Sequence, residues 1–225
     1  MSETAVVHIL GCGNFGRRAL AFYAGQEPPV QLFLVDPDAE NLAAARAELA
    51  AAGRECETVC EDAAAYLARL YLPDAKHSRE WIIPTAPLHL AFAALCRVSG
   101  RQAMPFDELP PLPNLYYGER CELASSIADF LCPADCPQPR RFCYHTGQPR
   151  QPSLFKLLAG LRYPYRGRVL PSLILASTQI APGLGGFPLR RWARLVEYIV
   201  GHHPEPLLFS TACRCHGVSN ILGGE

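Results

Sequence analysis

A glycine-rich turn near the start of the sequence constrains the fold more than any other feature. It follows an apolar run at residues 5–10, which predicts a buried strand, and it precedes a predicted helix that Gly25 is placed to end. A glycine pattern of this kind indicates dinucleotide binding only where it lies between a strand and a helix, as it does here. The turn has the pattern Gly-x-Gly-x-x-Gly and consists of Gly11, Cys12, Gly13, Asn14, Phe15 and Gly16.

The three glycines of this turn have different expected roles. Gly11 permits the tight turn, Gly13 lets a diphosphate approach the backbone, and Gly16 lets the helix pack closely on the strand. Asn14 and Phe15 lie at the helix N-terminus, where unpaired N–H groups and the helix dipole attract phosphate oxygens. The alternative is that all three glycines serve packing alone.

Asp36 ends the second predicted strand and follows Gly16 at a spacing of about 20 residues. A carboxylate in this place accepts hydrogen bonds from the adenosine ribose hydroxyls. It also repels a 2′-phosphate, so the pattern favours NAD over NADP as cofactor. The alternative role for Asp36 is a helix N-cap before Pro37.

Predicted strands and helices alternate four times in the first hundred residues, and the alternation returns after a segment crowded with proline and cysteine. This alternation is typical of a parallel sheet with helical crossovers. We therefore predict an α/β fold: a doubly wound, mostly parallel six-stranded Rossmann-like sheet with a Pro/Cys-rich insertion between strands 4 and 5. The predicted strands lie at 5–10, 30–35, 57–60, 81–83, 169–176 and 207–211.

Three segments follow from this organisation. Residues 1–98 form a nucleotide-binding Rossmann half, and residues 99–165 form the insertion, which is too long for a plain connection and is expected to bind a metal. Residues 166–225 supply a strand, a helix and a strand that complete the sheet.

The charge balance excludes some classes of partner. Of 225 residues, 21 are Lys or Arg and 21 are Asp or Glu, so the net charge is zero. Strong capture of nucleic acid or of an anionic membrane is not expected on this balance, and a homo-oligomer is compatible with it. The start Met1–Thr4 lacks the basic and then apolar layout of a secretory signal, so we expect a cytoplasmic chain.

The ten cysteines are expected to be reduced in that compartment, where clustered cysteines are more often metal ligands or catalytic groups than disulfides. We predict that an iron–sulfur cluster or a zinc ion is held by three cysteines of the insertion and one that follows the last strand. Free buried cysteines, or a zinc that only supports folding, are the alternatives. The ligands are Cys132, Cys136, Cys143 and either Cys213 or Cys215, with Cys121, His145 and His216 in reserve and with Cys12, Cys56, Cys60 and Cys96 as packing residues.

Two further features lie after predicted strands. His89 falls in the first turn of a predicted helix, where the helix dipole favours the neutral imidazole that a general base needs; a solvent-facing histidine is the alternative. The Gly-rich run Gln179–Gly186, with Arg190 and Arg191 beyond it, is the predicted site for a small anionic substrate. A plain Gly-rich turn is the alternative there.

Residues 5–95 resemble NAD(P)-binding Rossmann domains, especially the nucleotide-binding domains of potassium-uptake regulators. The resemblance implies that Asp62 lies near the adenine, although a helix cap would explain that residue equally well. It does not reach the cysteine-rich segment. The matching residues are Ile9–Gly16, Leu34-Val35-Asp36 and Glu61-Asp62.

The same region is also similar to class I S-adenosylmethionine-dependent methyltransferases, through Gly11-Cys12-Gly13 and Val35–Leu42. Those enzymes commonly have a third glycine where this chain has Phe15, whereas Gly16 stands where a dinucleotide-binding protein needs it. We therefore expect an NAD(P)-binding oxidoreductase with a cysteine-ligated metal centre. The alternatives are a methyltransferase and a non-catalytic nucleotide or redox sensor.

Overall fold

The computed structural model describes residues 5–72, 74–133, 135–149, 152–202 and 205–224, so the segment Met1–Thr4 lies outside the described residues. The helices are α1 (Asn14–Ala24), α2 (Ala39–Ala51), α3 (Ala63–Arg69), α4 (Leu90–Ser99), α5 (Leu154–Ala159) and α6 (Leu189–His202). The strands are β1 (Val6–Leu10), β2 (Gln31–Asp36), β3 (Glu57–Cys60), β4 (Trp81–Pro84), β5 (Gln102–Met104), β6 (Tyr116–Tyr117), β7 (Leu123–Ser126), β8 (Tyr163–Tyr165), β9 (Arg168–Leu170), β10 (Ser172–Ala176), β11 (Thr178–Ala181), β12 (Leu184–Pro188), β13 (Leu207–Ala212) and β14 (His216–Gly223).

The predicted α/β class is confirmed, and the first four predicted strands pair in parallel in the order β3-β2-β1-β4. Alternation along β1 explains how both faces of this sheet are covered. Val7 and Ile9 face α1 and α2, while Leu10 faces the cluster that contains α3, α4 and α6. β1 therefore lies in the buried middle of the sheet, and the turn that follows it is held by packing from both sides.

The prediction of one six-stranded, mostly parallel sheet is wrong for its last two strands. The strands predicted at 169–176 and 207–211 do pair with each other in parallel, as β10 and β13, but they belong to a second sheet of order β10-β13-β14-β7-β6. The edge of β4 is already taken by β12, which pairs with it antiparallel. Residues 166–225 therefore do not complete the first sheet.

The Pro/Cys-rich segment 99–165 contributes strands to this second sheet. Its β5 and β7 both pair antiparallel with β14, a strand that the sequence pattern does not predict. Its β8 forms a separate hairpin with β9. The second sheet is therefore built jointly by the predicted insertion and by the C-terminal strands.

The Gly-rich run predicted as an anion-binding loop is instead the hairpin β11–β12. Its turn is formed by Pro182 and Gly183, and Gly183 has a φ of +68° that favours glycine. At Gly186 an added Cβ would lie 2.6 Å from the carbonyl oxygen of Ile82 on β4. These glycines serve strand pairing, which explains why a run that suggests a loop forms the edge of the first sheet.

Helices α4 and α6 lie between the two sheets and join them into one core. Their apolar residues share a cluster with Leu10 and Phe187 of the first sheet and with Leu175 and Phe209 of the second. Trp192 of α6 is fully buried within this cluster. In the described part of the chain, no helix combines the length and the apolar character needed to cross a bilayer.

Candidate functional site

The glycine turn after β1 is shaped by close contacts at two of its glycines. Gly11 has a φ of +113°, and its N–H donates to the carbonyl of Val35 at 2.8 Å. A Cβ at Gly16 would lie only 2.1 Å from the carbonyl oxygen of Gly11. That carbonyl also accepts a hydrogen bond from the hydroxyl of Thr85 at 2.6 Å, which fixes the turn to the loop after β4.

Gly13 is different, because no contact with another described residue requires glycine there. A Cβ there would meet no atom within 4 Å, and its φ of −70° is open to any residue. It is the N-cap of α1 and has no side chain to cap the helix, and the first turn of α1 contains no acidic residue. The first intrahelical bond runs from Arg17 N–H to the Gly13 carbonyl at 2.9 Å, so the N–H groups of residues 14–16 have no partner within the helix.

Asp36 lies directly beside this turn and is almost fully buried. Its carboxylate accepts the backbone N–H of Cys12 at 2.7 Å and that of Asp38 at 2.9 Å. Its Oδ1 also accepts from the side-chain amide of Asn41 at 3.4 Å, so Oδ2 is the oxygen that retains a lone pair for a hydroxyl. Asp38, rather than Asp36, is the N-cap of α2.

Asp62 is the N-cap of α3. Its side chain accepts the N–H of Ala65 at 2.8 Å and contacts Arg97 at 3.1 Å. The helix-cap alternative is therefore confirmed for Asp62, and its position near an adenine stays a prediction.

A cavity of about 490 Å³ opens beside α1, and we call it the thiol cavity. Phe15 and Arg18 of α1 form one wall, and the hairpin β11–β12 forms another. The remaining walls come from the cysteine-rich segment and from the turn between β13 and β14. The lining residues are Phe15, Arg18, Cys132, Pro133, Cys136, Gln138, Ser177, Gln179, Gly183, Leu184, Gly185, Cys213, Cys215 and His216.

Cys213 is held in this cavity by the tight turn that joins β13 to β14. Its N–H donates to the carbonyl of His216 at 2.9 Å, which closes the turn. The turn directs two backbone N–H groups at the Cys213 sulfur, from Cys215 at 3.5 Å and from His216 at 3.3 Å. The side-chain amide of Gln138 donates to the same sulfur at 3.3 Å.

These contacts determine how readily the Cys213 thiol ionises. Burial alone would raise its pKa, but the hydrogen bonds from the His216 ring, from the N–H groups of Cys215 and His216 and from Gln138 outweigh it. The pKa of Cys213 is lowered from 9.0 to about 7. At Cys12, by contrast, burial raises the pKa to about 12, and at Cys96 it raises it to about 11, as expected of packing residues.

His216 lies between two sulfur atoms. Its Nδ1 is 4.0 Å from Sγ of Cys213, and its Nε2 is 3.5 Å from Sγ of Cys132. An ion bound to Nε2 and Cys132 would therefore stand across the ring from Cys213. In the part of the chain that the structure describes, no three His, Cys, Asp or Glu side chains are arranged to hold one metal ion.

The predicted ligand set is thus brought together only in part. Cys132, Cys136, Cys213 and Cys215 line the thiol cavity, whereas Cys143 does not. Cys143 lies in a separate turn, where its N–H donates to the carbonyl of Gln148 at 2.8 Å. The donors are of the type that zinc and iron–sulfur clusters prefer, but as placed they do not converge on one ion. The metal centre stays a prediction, and no chemical step is derived through it.

Of the residues predicted as reserve metal ligands, only His216 lines the thiol cavity, and the arginines predicted to bind the substrate do not line it. Cys121 and His145 do not line the thiol cavity, and neither do Arg190 and Arg191, which are exposed on α6. The cation at the cavity is instead Arg18, which belongs to none of the predicted site motifs. Arg18 lies one helical turn beyond Asn14, so it belongs to the side of α1 that the glycine turn presents, and this spacing is the signal that was available.

His89 is buried, not solvent-facing. Its Nδ1 donates to the amide oxygen of Asn220 at 2.7 Å, so Nε2 accepts from the hydroxyl of Thr211 at 2.9 Å. Burial lowers the pKa of His89 to about 4, against the opposing hydrogen bond to Asn220. Both ring nitrogens form hydrogen bonds that join α4 to the second sheet. This geometry explains His89 as a buried structural residue and gives no support to its predicted role as a general base.

The fold and the site together define an α/β protein in which a glycine turn adjoins a thiol-lined cavity. Residues 81–225 match the family described as "Uncharacterized protein, C-terminal domain", and the chain belongs to this family. An uncharacterized protein of Archaeoglobus fulgidus is 31% identical over 155 residues, which are 65% of this chain. The match covers 66% of that relative, so the chain spans just under two thirds of its length.

No solved structure matches the chain. The family region contains every cysteine of the thiol cavity, its histidine and both strands of the hairpin. It begins after the glycine turn, so the match covers the second sheet and every cavity-lining residue except Phe15 and Arg18.

Proposed function

We propose that the chain binds a nicotinamide dinucleotide at Gly11–Gly16 and acts as an NAD-dependent oxidoreductase on a small anionic substrate in the thiol cavity. The observation that carries this proposal is the open space at Gly13, at the uncapped N-terminus of α1. The contacts of Gly11 and Gly16 account for glycine at both positions. At Gly13 no contact with another described residue requires glycine, and the close approach of an anion such as a diphosphate to the unpaired N–H groups there is the explanation we propose.

The sheet order supports a Rossmann-type nucleotide site. In the order β3-β2-β1-β4 the chain reverses direction across the sheet between β1 and β4, and ligands of open α/β sheets bind beyond the carboxyl ends of the strands at such a point. The glycine turn follows β1 and Thr85 follows β4, in direct contact with each other. The proposed likeness to the nucleotide-binding domains of potassium-uptake regulators concerns this half of the fold alone.

Asp36 supports NAD as the dinucleotide. Its carboxylate is fixed beside the turn by the N–H groups of Cys12 and Asp38 and by the amide of Asn41, and its Oδ2 retains a lone pair for a ribose hydroxyl. A 2′-phosphate at the same place would bring its negative charge against a buried carboxylate. NADP is therefore expected to bind more weakly than NAD.

The thiol cavity supports the substrate part of the proposal. It shares Phe15 and Arg18 with the helix whose N-terminus would bind the diphosphate, so a cofactor there and a substrate in the cavity would be neighbours. The guanidinium of Arg18 suits a carboxylate or phosphate on the substrate. A volume of about 490 Å³ lies in the range of small-molecule sites.

Titration calorimetry with NADH, NADPH and S-adenosylhomocysteine tests the proposal. We expect NADH to bind most tightly and Gly13→Ala to weaken it at least about 10-fold, a loss of about 1.4 kcal/mol. Gly201→Ala is the matched control, because a Cβ at that helical glycine also meets nothing within 4 Å and lies on α6. Binding of S-adenosylhomocysteine alone would favour the methyltransferase instead, and NADH binding without turnover on any small anionic substrate would favour the sensor.

A further inference from the structure

A second cavity, of about 280 Å³, lies between α4 and the second sheet, and we call it the α4 cavity. It shares no lining residue with the thiol cavity. We propose that the α4 cavity binds a small α-amino acid with an apolar side chain, with the ligand ammonium at Glu122 and the ligand carboxylate at Arg120. The site is separate from the proposed dinucleotide and substrate sites, so this inference does not rest on them.

The wall of the α4 cavity is largely apolar. Helix α4 contributes Phe92, Ala93 and Cys96 to it, Leu88 comes from the segment before α4, and Ala103 comes from β5. The volume lies just below the usual range of small-molecule sites. The cavity therefore suits a ligand with a small apolar body and few polar groups.

Glu122 lines this cavity with a carboxylate that has no partner. Its Oε2 is buried, and in the described part of the chain the carboxylate forms no hydrogen bond and no ion pair. A carboxylate oxygen that is shut off from water and has no donor is costly. Rotation about the Cγ–Cδ bond exchanges the two oxygens, so either one can meet a donor in the cavity. A ligand ammonium carries three N–H donors and the charge opposite to that of Glu122.

The turn that joins β6 to β7 fixes the position of this carboxylate. The N–H of Gly118 donates to the carbonyl of Glu122 at 2.8 Å, which closes the turn. The side-chain amide of Asn220 donates to the carbonyls of Arg120 at 3.4 Å and Cys121 at 2.8 Å, which ties the turn to β14. A Cβ at Gly118 would lie 2.5 Å from the carboxyl carbon of Glu122. Glycine at 118 thus leaves the space that the carboxylate occupies.

Arg120 supplies the opposite charge from the same turn. It lines the cavity, is exposed, and forms no ion pair with Glu122 or with any other described residue. Arg101 also lines the cavity, but its guanidinium already donates to the carbonyls of Glu205 and Leu222. A guanidinium matches the geometry of a carboxylate. An α-amino acid has an ammonium and a carboxylate on the carbon that bears its side chain, so it matches two opposite charges beside one apolar cavity.

Titration calorimetry of the full chain with L-leucine and three related compounds tests the ligand class. We expect L-leucine to bind with a Kd of about 1 mM or tighter. 4-Methylpentanoate lacks the ammonium, 3-methylbutylamine lacks the carboxylate, and L-glutamate replaces the apolar side chain with a charged one. Each of the three should bind at least about 10-fold more weakly than L-leucine. Absence of L-leucine binding would overturn the proposal, and so would equal binding of L-leucine and any of the three.

Variants of the same turn test the location of the site. Glu122→Gln and Arg120→Gln should each weaken L-leucine binding at least about 10-fold. Glu119→Gln is the matched control, because Glu119 is exposed on this turn and does not line the cavity, so its affinity should be unchanged.

Gly118→Ala keeps both charges and displaces only the carboxylate. The Cβ meets the end of a flexible side chain, so the variant should fold, with an unchanged urea midpoint, and bind L-leucine more weakly. Unchanged L-leucine affinity in both Glu122→Gln and Gly118→Ala would show that the ligand binds elsewhere, and the proposal would fail. NADH affinity should be the same in all four variants, so a failure of this inference leaves the proposed dinucleotide site standing.

Discussion

The glycine turn and the thiol cavity lie on the same helix, yet they are built in opposite ways. The turn is a contiguous stretch, Gly11–Gly16, whose shape follows from local contacts and from the neighbouring β4 loop. The cavity is assembled from four separate segments that meet only because two sheets pack on a shared helical layer. Substitutions elsewhere that leave the first sheet intact should leave the glycine turn unchanged. The thiol cavity, by contrast, depends on the packing of the whole core.

Trp192→Ala is expected to have the largest effect, because it breaks the layer that the two regions share. Trp192 is fully buried in α6, packs edge-on against Tyr71 and donates to the carbonyl of Ala91 at 3.3 Å. Its removal should lower the free energy of unfolding by about 4 kcal/mol, measured by urea denaturation. Val200→Ala, on the exposed side of α6, should change it by less than about 0.5 kcal/mol.

The same experiment shows whether the two regions unfold together. If circular dichroism and Cys213 alkylation show the same unfolding transition in urea, the result is consistent with a single core. Two separated transitions in the Trp192 variant would mean that the glycine-turn sheet and the second sheet are independent units.

The second prediction concerns His89, the side chain that ties α4 to the second sheet. Its pKa is about 4 in the folded protein and about 6.5 when unfolded. Above pH 6.5 both states are neutral and the stability is complete. As the pH falls from 6.5 to 4, the unfolded state alone takes up a proton, so stability is lost. The loss should reach about 3 kcal/mol.

His89→Gln removes this titration while retaining side-chain donors and acceptors for Asn220 and Thr211. Urea denaturation at pH 7.5 and pH 4.5 should therefore show a smaller acid loss for the variant than for the parent chain. His202→Gln serves as the control, because His202 is exposed. An unchanged acid loss in His89→Gln would remove His89 as the pH-sensitive tether between the regions.

The two regions also differ in how far the sequence predicts them. Hydrophobic periodicity predicts the first four strands. Local signals such as the helix-ending Gly25 predict the glycine turn and the ends of α1 and α2. The second sheet does not, because the apolar run at β10 fits either sheet equally well and only the occupied edge of β4 decides between them. Spacing placed Cys132 and Cys136 together, but the meeting of His216 with Cys132 depends on a contact across 84 residues.

The third prediction separates packing from binding within the turn itself. Gly16→Ala places a Cβ 2.1 Å from the Gly11 carbonyl, so the turn must shift. We expect a loss of about 2 kcal/mol in unfolding free energy together with loss of NADH binding. Gly25→Ala at the other end of α1 should be nearly neutral, because its Cβ would lie 3.8 Å from the nearest atom. If Gly16→Ala were fully stable, the turn would be less tightly packed than its contacts indicate.

The smallest effect is expected at Asp36, and it separates the role of the turn in cofactor choice from its role in folding. Asp36→Asn removes the charge that opposes a 2′-phosphate, so the preference for NADH over NADPH should narrow by about 10-fold, or about 1.4 kcal/mol. The variant also loses an acceptor for Cys12 or Asp38, so both affinities can fall, and only their ratio reports on the charge. Asp38→Asn disturbs the neighbouring helix cap and should leave the ratio unchanged. If the ratio of the NADH and NADPH affinities is unaltered in Asp36→Asn, the carboxylate only supports the structure of the turn. Packing alone would then explain the glycine turn, as it explains the second sheet.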